Sequence, residues 1–234
     1  GALTLRPESA DDSGDAISLA AGNGTGWYDP GWDHRLKVTV NASEVNGDLS
    51  DFPVYIDLAA LPAAFFSDIK SNGGDIRVTT ADGLNEVPRE LVSIDTGGQS
   101  GELHFRAPTI SSSTDTEFYI YYGNSGASEY PASSAYGSES VWGADYGLVQ
   151  HLNEAPSGPA LDSSRHGHDG TPTGGMGSGN LVGAQLGDGW NYDGNDDYLE
   201  TSYSKQYSPG QGFTYSLWFK TTETDRRDPP DIRQ

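Results

Sequence analysis

The sequence predicts an all-β protein arranged as two successive β-sandwich domains, the second of them incomplete. Three observations carry this reading. Apolar residues recur at every second position in short runs, and each run is bounded by Gly, Asn, Asp or Pro, as half-buried antiparallel strands require. One short segment, PAAFFSDIK at 62–70, has a helical pattern. The composition also shifts twice along the 234 residues, which divides the chain.

Residues 1–26 are rich in Gly, Ala and Asp and read as a flexible leader or linker. From Trp27 strand patterns begin. RLKVTV sets Leu36, Val38 and Val40 against Arg35, Lys37 and Thr39, and FPVYIDL sets Phe52, Val54, Ile56 and Leu58 against Pro53, Tyr55 and Asp57. The same period recurs in DIRVTT, ELHFRAP and EFYIYYG, where Phe118, Ile120 and Tyr122 share a face. These runs define a first sandwich over 27–130. A small, polar, turn-prone stretch follows, with the domain junction at 131–141. The second domain spans 142–222 and contains GLVQHLNE, a glycine-rich stretch, DYLETS and FTYSLWFKT. FTYSLWFKT alternates Phe213, Tyr215, Leu217 and Phe219 against Thr214, Ser216, Trp218 and Lys220, which makes it the strongest strand pattern in the chain. The tail 223–234 is charged, carries Pro229 and Pro230, and reads as unstructured or extended.

Charge excludes several function classes. There are 34 acidic residues against 13 basic ones, for a formal net charge of −21, and only Lys37, Lys70, Lys205 and Lys220 are lysines. Such a surface repels phosphate backbones and anionic headgroups, so nucleic acid is not an expected partner. Abundant carboxylate with scarce lysine suits a halophilic or marine source. An aromatic content of 11% argues for a folded chain over acidic disorder. Cysteine is absent, so disulfides and thiol chemistry play no part. No apolar run approaches the roughly 20 residues of a membrane helix, so membrane insertion is not expected.

VQHLNE, LDSSRHGHDGT, WNYDGNDDYLE and GFTYSLWFKT occur in that order and resemble the first half of a laminin-G-like jelly roll, in the concanavalin A-like lectin/glucanase superfamily. Tyr192 stands where that pattern usually has Phe, and Arg165 where Gly is common. WYDPGWDHRLKVTV, DFPVYIDL, GGDIRVTTADG and EFYIYYGN resemble a domain of unknown function that often precedes such jelly rolls in secreted and envelope proteins of bacteria and archaea. The resemblances imply an extracellular or cell-surface location and bring no catalytic residues with them. A jelly roll needs about eight strands, and only four or five are legible after Val141. The sequence is then either a fragment of a longer protein or is completed by strands from another chain.

The chemistry candidates lie mostly in the second domain. A glycoside hydrolase needs two carboxylates about 5–9 Å apart flanking the bond. Asp196 and Asp197 are adjacent, so in a strand they would point to opposite faces. No Gly-x-Ser-x-Gly nucleophile elbow is present, and no enzymatic role is expected. His166 and His168 read as polar loop residues, since nothing near them completes a zinc set. Calcium is the candidate cofactor. Asp193, Asn195 and Asp196, with Asp162 from another loop, offer the oxygen ligands it takes. Asp193-Gly194 is equally a favoured turn pair, and the turn is the simpler reading. Trp190, Trp218 and Tyr198 are candidates for stacking on a glycan, as are Tyr203 and Tyr207. Asn23 and Asn41 lie in glycosylation sequons that composition alone would supply.

The expected function is a non-catalytic extracellular or cell-surface prokaryotic protein with an adhesive or structural role, binding a glycan or another surface ligand. One alternative is a self-assembling filament subunit, a homo-oligomer completed by strand exchange. Another is the ancillary carbohydrate-binding region of a polysaccharide-active enzyme.

Overall fold

The computed structural model describes residues 26–206, 208 and 210–221, together with the backbone of Ile17–Ala21. The chain is all-β: its elements are short antiparallel strands with one short helix, α1 (Ala63–Asp68). The first half holds β1 (Ile17–Ala21), β2 (His34–Val40), β3 (Leu49–Asp57), β4 (Arg77–Thr80), β5 (Glu86–Val87), β6 (Arg89–Asp95), β7 (Ser100–Ile110) and β8 (Thr116–Tyr122). They form a five-stranded sheet in the order β1-β2-β8-β4-β5 and a three-stranded sheet in the order β3-β7-β6.

Alternation decides which face of each strand is covered. Leu36, Val38 and Val40 of β2, Val78 of β4, and Phe118, Ile120 and Tyr122 of β8 project from one face of the larger sheet. Val54 and Ile56 of β3, and Leu103, Phe105 and Ala107 of β7, project from the smaller one. All belong to one buried cluster, so the two sheets pack face to face, and Phe105 meets Phe118 across the gap at a ring distance of 4.8 Å. The helix closes one end: Phe65 is fully buried, with its ring 4.9 Å from Tyr122.

Both outer faces of this sandwich are covered. On the larger sheet, Arg35 lies over Tyr119 at 4.2 Å and over Trp27 at 4.9 Å, a cation–π arrangement. Gly83 allows this crowding, because its φ is +69° and an added Cβ would stand 2.6 Å from the Gly26 carbonyl and 2.9 Å from Arg35. Glu86 sits beside Arg77 and accepts hydrogen bonds from the Tyr28 hydroxyl (2.5 Å) and the Tyr130 hydroxyl (3.1 Å). Burial raises the Glu86 carboxyl above its usual range, against the pull of these donors and of Arg77.

The stretch 123–141 is a tied strap, not a bare linker. Arg77 donates to the Ser128 carbonyl (2.7 Å), Lys70 to the Ala127 carbonyl (2.6 Å), and Arg89 pairs with Glu129 at 2.9 Å. Sequence composition hides this, because two of these three anchoring groups are backbone carbonyls that any residue supplies.

At four places the structure differs from the sequence reading. The leader contributes a strand, since β1 pairs with β2 in full register from Ile17–Val40 to Ala21–Leu36; its alternating Ile17, Leu19 and Ala21 were masked by flanking Gly and Asp. Beyond Val141 the described strands are short and pair only in twos, fewer than the partial jelly roll that the sequence suggests. Here β9 (Gly170–Thr173) pairs with β12 (Tyr198–Thr201), and β10 (Leu181–Gly183) pairs with β11 (Asp188–Trp190). The Asp-Gly turn is not a hairpin: β11 and β12 on either side of it belong to different sheets, and Tyr192 lies outside any strand. Finally, 213–220 joins no ladder, although Phe213, Tyr215, Trp218 and Phe219 are more than half exposed. Alternation prepares a strand, but a neighbouring backbone must supply the hydrogen bonds. The tail 223–234, the sequon at Asn23 and Tyr207 lie outside the described residues.

The sandwich core is the first testable feature. Phe105→Ala leaves a cavity opposite Phe118 and is expected to destabilise by about 3–5 kcal/mol. In urea unfolding the midpoint should fall while the denaturant slope stays unchanged.

Candidate functional site

Polar residues of the smaller sheet build a connected cluster of carboxylates and imidazoles. On β7 the inward residues are Leu103 and Phe105, so Glu102 and His104 stand on the opposite face. Glu90 of β6 is the direct cross-strand neighbour of His104, and Tyr55 of β3 is its neighbour on the other side. An outward-facing Glu-x-His pair would normally be solvated. Here Glu90, Glu102 and His104 are all buried, because the segment that follows the strap lies over them.

That segment docks through Glu90. The carboxylate accepts from the Trp142 indole (2.7 Å) and the Ser163 hydroxyl (2.5 Å), and lies 3.3 Å from His151 Nε2. Glu102 Oε1 is 2.8 Å from His104 Nε2 and 3.7 Å from His151 Nδ1. The two imidazoles are 5.0 Å apart, and Trp142 flanks both rings. Burial alone would raise the Glu90 carboxyl, but His151, Ser163 and Trp142 hold it below the usual carboxylate range. Burial alone would depress His151, but Glu90, Glu102 and Glu154 carry it above the ordinary histidine value. The cluster therefore favours positive charge at His151.

None of these four residues is a candidate by sequence. Glu102 and His104 do share a strand face in ELHF, but His151 reads as part of a strand pattern, and nothing local joins it to β7. His151 belongs to no ladder, and Leu152 beside it has a φ of +56°.

The sequence candidates fall in two separate places. Asp162 organises its own loop. Its carboxylate accepts from the backbone N–H of Val149 (3.0 Å), Ser164 (2.9 Å) and His168 (2.8 Å), and from the Ser164 hydroxyl (2.8 Å). It is not grouped with the acidic turn. There, Asp193 Oδ1 accepts from Asn195 N (2.8 Å) and Asp196 N (3.3 Å), while Asp197 accepts from Asp193 N (2.9 Å). Gly194, with φ +76°, makes the reversal. Asp193, Asp196 and Asp197 bring one oxygen each within 4.8 Å of one another, a group of carboxylates that could hold a metal ion. Divergence of Asp196 and Asp197 would require a strand, and strand geometry begins only at Tyr198. Asn195 uses its amide nitrogen to donate to Asp193 (3.1 Å).

Of the aromatic candidates, Trp190 is buried and donates to the Glu154 carbonyl (2.7 Å). Trp218 and Tyr198 are exposed, at 65% and 51%. His166 and His168 stack in their loop at 6.0 Å, with His168 Nδ1 3.1 Å from the Ser202 hydroxyl.

The Asp162 loop gives a pH prediction. Burial pushes this carboxyl up, but its four donors hold it below the usual value. A depressed folded-state value means stabilisation that is present above the unfolded value, near 3.9, and lost as pH falls through the lowered one. Asp162→Asn should cost about 1 kcal/mol at neutral pH and should flatten the acid limb of a stability–pH curve from chemical denaturation.

No family model, no curated protein and no solved structure matches the chain.

Proposed function

We propose that the chain is a non-catalytic module of an extracellular or cell-surface prokaryotic protein, with a structural or adhesive role, whose second half is completed by further β-strands. The observation that carries this reading is the segment 213–220. It has the alternation of a sheet strand, its aromatic side chains are largely exposed, and it belongs to no β-ladder among the described residues. An apolar segment with strand alternation that lies outside any ladder is a template for another strand. Strands from a second copy would make a filament subunit. A glycan is the favoured surface ligand, through the exposed rings of Trp218 and Tyr198. The absence of a matching family leaves the laminin-G-like resemblance resting on its motifs.

Light scattering tests the completion reading. The chain should associate with rising concentration, and replacing Phe213, Tyr215, Leu217 and Phe219 with Ser should return it to a monomer of unchanged melting temperature. A concentration-independent monomer from the starting sequence contradicts the reading.

Calcium is the ion proposed for the acidic turn, where Asp193, Asp196 and Asp197 supply oxygen ligands of the type it takes. Calcium in excess over chelator should raise the melting temperature, and the triple change Asp193→Asn, Asp196→Asn, Asp197→Asn should remove the rise. A midpoint unchanged by calcium contradicts it.

A further inference from the structure

We infer that Glu102, His104 and His151 form a binding site for a divalent transition cation of the zinc class, with Glu90 positioning His151. The site is separate from the acidic turn and does not depend on the surface role proposed above.

Three observations converge. The first is the donor set. One carboxylate oxygen and two imidazole nitrogens lie within 4.8 Å of one another. Ligands about 2.0 Å from a tetrahedral zinc stand roughly 3.3 Å apart, so small rotations of buried side chains close the set. Imidazole with carboxylate is a donor combination that suits zinc over calcium or magnesium. One position of a tetrahedral ion is left for water or a further carboxylate.

The second observation is the outer layer. His151 Nε2 faces Glu90, which turns Nδ1 toward Glu102. Metal-binding histidines usually have their other ring nitrogen held in this way by a carboxylate or carbonyl. Glu90 is itself fixed by Trp142 and Ser163. Two of the three ligands, Glu102 and His104, stand on β7, the central strand of its sheet.

The third is charge. Two carboxylates flank His151, Glu90 at 3.3 Å and Glu102 at 3.7 Å, and Glu154 lies three positions along the chain from it. Glu154 Oε2 is shielded from solvent and has no hydrogen-bond partner. Among the described residues no lysine or arginine forms an ion pair with any of the three. A shielded carboxylate oxygen without a partner, as at Glu154, is costly, and a divalent cation close by would offset it. Because β7 and the covering segment both contribute ligands, the ion would clamp that segment onto the sandwich.

Cobalt(II) is the probe. Protein freed of metal with chelator should take up one equivalent and develop the intense visible bands of four-coordinate cobalt, and zinc should displace them stoichiometrically. Zinc should also raise the melting temperature of the same protein. His104→Gln and His151→Gln should each lose the cobalt bands, whereas the triple Asn variant of the acidic turn should keep them. The readout on the unaltered chain stands even if a histidine variant folds poorly. Absence of both bands and melting shift in the unaltered chain overturns the site and leaves a proton-bonded cluster only. Bands that survive both histidine changes, or that vanish with the acidic turn, overturn it as well.

Discussion

The Glu90 carboxylate is the constraint on which the arrangement of the second half depends. A carboxylate removed from water must be met by donors or by charge, and three groups meet this one: Trp142, His151 and Ser163. All three come from the segment that lies over the smaller sheet. That sheet would otherwise present Glu90, Glu102 and His104 to solvent, where they would need no partner. Burying them couples the position of residues 142–163 to the register of β6 and β7. Asn153 adds a further tie, donating to the Val92 carbonyl at 2.8 Å.

The larger sheet is covered by the same means with different chemistry. Arg35 is enclosed by Trp27, Tyr119 and Tyr121. Arg77 lies over Tyr130 at 4.3 Å and over Trp32 at 5.5 Å, and Arg89 crosses to the Ile76 carbonyl at 2.5 Å. Guanidinium groups suit this role, because their planar face stacks on rings while the rim donates to carbonyls. A chain with 13 basic residues commits these three to holding its covering segments. Both outer faces of the sandwich are thus closed by polar groups with specific partners, and the inner core by aliphatic and aromatic packing.

Period-2 alternation revealed β2, β3, β4, β7 and β8, because those strands bury one face and the pattern records it directly, and the helical pattern of 62–70 revealed the short helix. It did not reveal β6, whose RELVSID mixes inward and outward residues across a register shift between Leu91 and Ser93. FTYSLWFKT has the clearest alternation of all and forms no ladder, since pairing depends on a partner that a single strand does not encode. The acidic turn was legible as Asp193-Gly194, while the approach of Asp196 and Asp197 was not, because it follows from loop geometry. Least legible was the Glu90–Glu102–His104–His151 cluster. His104 and His151 are 47 positions apart, and they meet only because a segment without regular structure is folded back over β7.

The central claim is that Glu90 holds residues 142–163 on the sandwich. Amide hydrogen exchange on Glu90→Gln tests it most directly, since the amide keeps the shape but loses the charge and one acceptor. The account predicts faster exchange through 142–163, with β2, β7 and β8 still protected as in the unaltered chain. Unchanged protection of 142–163, or loss of protection spread evenly over the whole molecule, would contradict it.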